Sequence, residues 1–346
     1  MSPPLGVSFV IPVHNGERWL PEVLAGIRSQ VYAGPLEVIA VEDGSADGSR
    51  RLLARLADKG DLRLVDGPRR GASAALNTGI RAAAHPLIAQ VDQDVVLEPG
   101  WLEQLTSTLI DASVAAAQGH YVAAPNAGPW SRVMALDLRQ RYGKLRNERT
   151  NHVCTGNSVY VKAALFDVGL FDETLGYGND NDISYRLTHA GYRLAFCPDA
   201  RSAHHWREGL MDYARQQYGF GYGRLDLVAK HRQRLAGDDV SRISMMMHAP
   251  LMAAGLLAAL ATLVMGALGL PMSLPAQVTV LFLGTLVIER LIAGVMASIQ
   301  FRDPAGLLFV PMHLVRDFAW VVAIGVWCGR RLRGATPRPS DSMARQ

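Results

Sequence analysis

Two carboxylates, Asp92 and Asp94, stand at the end of the apolar run Ile88-Ala-Gln-Val-Asp-Gln-Asp-Val-Val. On an extended strand, residues i and i+2 point the same way because side chains alternate with period two. Hard oxygen ligands held that close suit Mg²⁺ or Mn²⁺, which take one or two carboxylates and complete their shell with water and phosphate oxygens. An ion held there can bridge a diphosphate and make it a better leaving group. An isolated Asp-x-Asp is more often a solvated strand end, so its weight comes from its surroundings.

Those surroundings alternate between strand and helix. Val7–Val13 is a β-branched run suited to a buried parallel strand. Helical spacing follows over Glu17–Gln30, then a strand at Leu36–Val41 ending in Glu42-Asp43-Gly44-Ser45. A helix over Gly48–Lys59, a strand at Leu62–Val65, a helix over Ala72–Ala84 and a strand at Leu87–Val91 complete the pattern. Short connections between such elements give a right-handed, mostly parallel α/β sheet. Ligands bind such sheets at the carboxyl ends of the strands. Asp43, Asp92 and Asp94 all sit at such ends, so three carboxylates are expected in one crevice. Further on, Leu194–Cys197 reads as a short strand, Asn179 opens a helix, and His204 and His205 follow Pro198.

Seven motifs occur in order: Val7-Ser-Phe-Val-Ile-Pro-Val-His-Asn-Gly-Glu, Val41-Glu-Asp-Gly-Ser-Ala-Asp-Gly, Gly71-Ala-Ser-Ala-Ala-Leu-Asn-Thr-Gly, Val91-Asp-Gln-Asp, Thr155-Gly-Asn, Asn179-Asp-Asn-Asp-Ile-Ser-Tyr-Arg-Leu and His204. Each is weak alone, since Asp-Gly-Ser is a common turn. In this order, from Val7 to about Tyr222, the chain resembles the inverting family 2 glycosyltransferases. The resemblance implies a GT-A fold: α/β, with a mixed, mostly parallel sheet and flanking helices. It implies a nucleotide-sugar donor, a UDP-sugar foremost, and Mn²⁺ or Mg²⁺ as cofactor.

The same resemblance assigns roles. Asp43 would accept a hydrogen bond from the imide N–H of a uracil, with Pro12, Gly71 and Asn77 as further substrate-binding positions. Asp92 would contact the ribose or a metal-bound water. Asp94 would bind the metal, with His204 as a neutral second ligand and His205 as its alternative one residue on. Gly156 and Asn157 fall where relatives border the acceptor. Asp180 matches the general base, which takes the acceptor hydroxyl's proton in a single displacement; inversion needs one such carboxylate, not the retaining pair. Asp182 is expected beside the base or against the acceptor, and one of Asp180 and Asp182 is expected to cap the helix. Gln216 or Gln217 stands where processive synthases carry Gln-x-x-Arg-Trp; Gln217 is taken as the substrate-binding one, and the missing Arg-Trp argues against a processive synthase. The Gly-rich run to Arg224 reads as a gating segment or a loop.

Two departures matter. Glu42 stands where many relatives have Asp, and Asn179 replaces a Glu. They leave a second reading, a sugar-nucleotide-binding regulator or complex subunit without catalysis.

Charge divides the 346 residues unevenly. Residues 1–223 carry 22 Lys+Arg against 24 Asp+Glu, whereas 243–329 hold six charged residues in all. The flanks, 224–242 and 330–346, hold ten Lys+Arg against four Asp+Glu. A weakly charged block with basic edges reads as membrane-embedded with cytoplasmic flanks. The sequence pI near 9.0 therefore reflects membrane edges and not a nucleic-acid-binding face. Ala249–Leu270 is 22 residues without a charge, enough to cross about 30 Å of hydrocarbon. Ala276–Ile299 is a second span, interrupted by Glu289 and Arg290, which project about 100° apart and need not pair directly. Leu307–Gly329, with His313, Arg316 and Asp317, reads as spanning, interfacial or re-entrant; a spanning hairpin plus a non-spanning third helix keeps every basic flank cytoplasmic.

The expected organisation is a cytoplasmic catalytic domain (1–235), a membrane region (243–329) and a basic disordered tail (330–346). The location of the site implies a lipid or lipid-linked glycan acceptor at the cytoplasmic membrane. Cys154, Cys197 and Cys328 have no metal or redox spacing, consistent with a reducing compartment. The start, Met1-Ser-Pro-Pro-Leu, lacks the pattern of a signal peptide. Arg139–Arg149 reads as a solvated basic helix face or a contact for anionic lipid or diphosphate.

Overall fold

The computed structural model describes residues 4–143, 145 and 149–334. Met1–Pro3, Lys144 and Arg146 of the basic stretch, and the tail from 335 onward lie outside the described residues. The chain forms two compact units. One comprises the residues up to Pro125 and those between Lys144 and Trp206; the other joins Asn126–Gly143 to the chain from Arg207 onward. Residues 126–143 thus group with the C-terminal helices, a membership that no composition shift announces.

The first unit begins with β1 (Val7–Val13), α1 (Leu20–Arg28), β2 (Leu36–Glu42), α2 (Ser49–Asp58), β3 (Arg63–Asp66) and α3 (Ala72–Ala82). β4 (Leu87–Val91), β5 (Val95–Leu97), α4 (Trp101–Thr108) and β6 (Val114–Ala123) follow. After α5 (Pro129–Tyr142) of the second unit come β7 (Arg149–Thr150), β8 (Asn157–Val161), α6 (Lys162–Asp167), α7 (Asn179–His189) and β9 (Arg193–His204).

Among the described residues these strands form one mixed sheet in the order β3-β2-β1-β4-β8-β6-β9-β5, with β7 also on β9. β1, β2, β3 and β4 pair in parallel because helices supply the crossovers. β8 lies antiparallel between β4 and β6. The parallel strands read as unbroken apolar runs because both faces are covered; every residue of β4 is buried. Ile39, Val41, Leu76, Ile80, Ile88, Tyr160 and Leu187 belong to the core cluster.

The strand expected at Leu194–Cys197 is longer, running from Arg193 to His204. The chain at Leu194–Cys197 does not leave the sheet at Pro198, because β9 continues to His204. A register shift against β6, between Gln118 and His120, takes up Pro198, which cannot donate to a ladder. His204 is therefore a strand residue, paired with Val95 of β5.

The second unit contains α5, α8 (Leu210–Lys230), α9 (Ile243–Ala267), α10 (Ser273–Phe301) and α11 (Phe309–Leu332). The Gly-rich run expected as a loop is helical. Gly219, Gly221 and Gly223 are buried within α8, and a Cβ on Gly221 would lie 3.0–3.2 Å from Trp320 and Ala323 of α11. Small residues there let two backbones approach, which outweighs glycine's poor helix propensity.

Among the described residues, three segments are long and apolar enough to cross a membrane: Ile243–Ala267, Ser273–Phe301 and Pro304–Leu332. The third is the most shielded by protein, with 39% of its apolar window buried against 17% and 22%. The shielded side carries an ion-pair chain. Asp317 accepts from Arg290 and from Arg316, both at 3.1 Å, and Arg290 also meets Glu289 at 3.1 Å despite their adjacency. His248 reaches Glu289 at 3.5 Å, while Asp137 of α5 pairs with Arg141 at 2.9 Å and lies 3.9 Å from Arg316 and from His313. Burial raises the Asp137 carboxyl, but Arg141 and the cations of α11 outweigh it and hold the group well below the usual carboxylate range. Of the basic stretch, Arg141 is in this chain, while Arg139 is exposed and lies over the Phe301 ring.

Removing one member of such a network strands the others. Asp317→Asn should destabilise the detergent-solubilised protein by about 3–5 kcal/mol, seen as a lower Tm. An unchanged Tm would show that the network is dispensable.

Candidate active site

Parallel pairing puts the ends of β1, β2 and β4 on one edge. Val13 is opposite Glu42, and Asp43 follows one residue on. Asp43 is buried, its Oδ1 accepting from the Arg69 amide (2.6 Å) and its Oδ2 from the Gly71 amide (3.0 Å). Gly71 can offer that amide because its φ of 94° lies in the left-handed region. The neighbouring Glu42 turns its carboxylate onto the Gly44 and Ser45 amides and Arg50. Burial raises its pKa, but those hydrogen bonds hold it below the usual value. Pro12 is half-buried within β1.

Asp92 directly follows β4 and Asp94 lies within the tight turn that Val95 N closes by donating to Asp92 O, so turn geometry and not strand alternation sets this pair. Gln90, two residues earlier on the same face, donates to Asp92 Oδ1 at 2.8 Å. The Gln90 Oε1 accepts from Gly156 N. Gly156 has φ 87°, and a Cβ there would stand 2.3 Å from Asp92 Oδ2. Only glycine fits against that carboxylate. Because β5 pairs with β9, His204 comes opposite Val95 and its Nε2 lies 3.9 Å from Asp94 Oδ1. The imidazole is stacked on Trp206 (4.6 Å between centroids) and edge-on to Tyr121 (5.3 Å).

Asp180 occupies the first turn of α7, whose N-cap is Gly178. Gly178 has no side chain to cap the helix, and of the two acidic residues of that turn Asp180 takes a first-turn amide instead. Asp180 Oδ1 accepts from the Asn181 amide, and Oδ2 lies 3.5 Å from His152 Nε2. Asn179 donates to Ser73 Oγ (2.9 Å) and accepts from the Asp180 amide.

The charges of these residues are felt at Asp92. Its carboxyl is raised to about 6, by burial first, then by Asp94 and also Asp180, against His204 and Gln90. Burial lowers the His204 imidazole to about 4, so it stays neutral through the physiological range. A neutral imidazole and a partly exposed carboxylate 3.9 Å apart fit two ligands of one Mg²⁺ or Mn²⁺, since metal–ligand bonds of about 2.1 Å allow any separation up to about 4.2 Å. His204 Nδ1 is buried with no hydrogen-bond partner, consistent with a ring fixed by its aromatic neighbours.

Four expected substrate contacts lie elsewhere. Asn77 is buried and spent on Phe171 N, Phe171 O and Glu173, so it ties α3 to the 171–173 segment. Asn157 has no exposed surface, and its Oδ1 accepts from Trp101 Nε1. Asp182 is fully buried against Arg186 one turn on (2.7 Å), which removes it from any acceptor surface. Gln217 is buried in α8 of the second unit. His205, the alternative to His204, is stacked on Trp19 and reaches Glu22. Conversely, Gln90, Tyr121, Trp206 and His152 escaped sequence reasoning. Of these only Gln90 left a signal, a lone amide in an apolar strand two residues before Asp92.

An acid with a raised pKa keeps a proton in the folded chain that the unfolded chain has lost. Between the unfolded value of 3.8 and about 6, metal-free stability should therefore fall as pH rises, and the loss is complete above that window. Asp92→Asn in EDTA should stabilise the protein at pH 7.5 by up to about 3 kcal/mol, seen as a higher Tm, and flatten that dependence. An unchanged Tm would mean that Asp92 is not under repulsion. Gly156→Ala should abolish the gain by displacing the carboxylate at a cost in stability.

Residues 8–169 match the family model "Glycosyl transferase family 2". A pre-mycofactocin glycosyltransferase of Mycobacterium tuberculosis is 32% identical over 240 residues, covering 66% of this chain and 49% of that protein. The chain thus spans about half the length of that curated relative. The succinoglycan biosynthesis protein ExoA of Rhizobium meliloti is 25% identical over 330 residues, covering 92% of this chain and 93% of ExoA. Among solved structures, a Pyrobaculum calidifontis mannosyltransferase determined with GDP-Man and Mn²⁺ has a TM-score of 0.61 at 18% identity, covering 94% of this chain and 89% of its own. That likeness carries the fold. With the ordered motifs and the GT-A sheet, these matches identify a glycosyl transferase family 2 domain over residues 8–169 of this chain.

Proposed function

We propose that this chain is a membrane-anchored, inverting glycosyltransferase that moves one sugar from a UDP-sugar to a lipid or lipid-linked glycan acceptor. One observation carries the reading: Asp92, Asp94, His204 and Asp180 share one electrostatic neighbourhood at the carboxyl edge of the sheet.

Asp43, oriented by the Arg69 and Gly71 amides, receives the imide N–H of the base with its remaining lone pairs. Asp94 and His204 would hold Mn²⁺ or Mg²⁺, and Asp92 would hold the ribose or a metal-bound water. The ion, when bound, would neutralise the diphosphate as it departs. Asp180 accepts the acceptor hydroxyl's proton as that oxygen attacks the anomeric carbon opposite the nucleotide. The configuration inverts because there is one displacement. Gly71 and Gly156 contribute backbone rather than side chain. Asn77, Asn157 and Asp182 support the walls, and Glu42 takes over the capping of the 44–45 turn.

The membrane part of the proposal rests on the three apolar helices and their basic flanks, with the catalytic unit on the cytoplasmic side. The near full-length similarity to ExoA supports a polysaccharide-precursor or glycolipid acceptor.

Membrane-reconstituted protein should transfer sugar from a UDP-sugar to an extracted lipid with inverted anomeric configuration. Asp180→Asn should lower kcat by about 10²–10⁴ while leaving UDP-sugar affinity unchanged. A retained anomeric configuration, or full activity in Asp180→Asn, would overturn the mechanism. Donor binding without turnover on any lipid would favour a regulator.

A further inference from the structure

Beside the catalytic crevice, the structure gathers a second set of ligands of different chemistry. A ring nitrogen of His152, the Cys154 Sγ and a carboxylate oxygen of Asp180 all lie within 4.8 Å of one another. They come from two segments, the stretch after β7 and the first turn of α7. Backbone contacts fix both. Val153 N donates to Ser184 Oγ (3.0 Å), and that hydroxyl donates to Asp180 O (2.7 Å). The Cys154 amide donates to the buried Gln118 side chain (2.6 Å), and the His152 amide to Thr150 Oγ1 (3.1 Å). His152 is 5% exposed, and the Asp180 carboxylate keeps 25% of its surface, so the cluster opens toward the crevice through Asp180.

We infer that His152, Cys154 and Asp180 form an inhibitory zinc site that occupies the catalytic base. Imidazole, thiolate and carboxylate are the donors that zinc takes, with bonds of about 2.0–2.3 Å and a fourth position left for water. Tetrahedral bonds of that length set ligands about 3.2–3.8 Å apart. His152 Nε2 and Asp180 Oδ2 are already 3.5 Å apart, and the thiol sulfur lies within 4.8 Å of ligand atoms of both. The thiolate discriminates. Mg²⁺ and Mn²⁺ prefer oxygen donors and remain with Asp94, whereas Zn²⁺ or Cd²⁺ gains from sulfur. Binding transfers the thiol proton to solvent and forms the metal–sulfur bond, with no change of oxidation state. An Asp180 oxygen bound to zinc cannot also accept a proton from an acceptor hydroxyl. This inhibitory consequence rests on the proposed role of Asp180; the binding itself does not.

The test uses the full chain in detergent with saturating Mg²⁺ and Co²⁺ as the probe ion. Wild type should develop a near-ultraviolet sulfur-to-cobalt charge-transfer band, abolished by one equivalent of Zn²⁺. Cys154→Ser should lack the band and bind Zn²⁺ more than about tenfold more weakly, since losing even a group that supports a ligand costs that much. A band retained in Cys154→Ser, or none in wild type, overturns the site. Should the variant fold poorly, wild type alone decides: Zn²⁺ must protect Cys154 from iodoacetamide at fixed Mg²⁺, and equal alkylation overturns the proposal. In transfer assays at saturating Mn²⁺, Zn²⁺ should silence wild type and spare Cys154→Ser. Equal inhibition of both overturns the inhibitory role. A cobalt band without transfer under any condition would leave the zinc site standing and remove the transferase reading.

Discussion

Everything at the catalytic edge depends on holding together carboxylates that repel. Burial first, and then the charges of Asp94 and Asp180, raise the Asp92 carboxyl to about 6. Strand pairing supplies the restraint. The parallel register of β1, β2 and β4 brings Asp43 and Asp92 to one edge, and the β5–β9 pairing sets His204 beside Asp94. Gly156 closes on Asp92 where any side chain would collide. The cluster is thus preorganised for a cation, and a bound ion would relieve the repulsion it was built with.

Much of this edge was legible because buried parallel strands are apolar from end to end. An acidic residue directly after such a run must lie at the rim, which located Asp43, Asp92 and Asp94. What was not legible came from interactions distant in sequence. Nothing local says that Asn77 will meet Phe171, or Asn157 the Trp101 indole, and both therefore read as ligand contacts. Pro198 looked like a strand end because the pairing that resumes beyond it at Arg201 is with His120 of β6, about eighty residues earlier. The glycines of α8 looked like a loop because their reason, the close approach of Trp320, sits about a hundred residues away.

The two departures from the family pattern each make specific contacts. Glu42 reaches the Gly44 and Ser45 amides with its own carboxylate and leaves Asp43 in place. Asn179 braces Asp180 through its amide and Ser73. In the second unit, the charges that interrupt the apolar helices neutralise one another around Asp317 and Asp137. An apolar surroundings makes each pair demanding of geometry, which ties α5, α10 and α11 into one arrangement.

The central claim is that the carboxylate edge is a joint site for a divalent cation and a uridine diphosphate. The direct measurement is calorimetric binding of UDP with Mn²⁺ and in EDTA, for wild type and Asp94→Ala. Linkage requires each ligand to strengthen the other by the same factor. Wild type should bind UDP at least about tenfold more tightly with Mn²⁺, a coupling of about 1.4 kcal/mol, and Asp94→Ala should lose that coupling. Equal UDP affinity with and without Mn²⁺ in wild type would contradict the account.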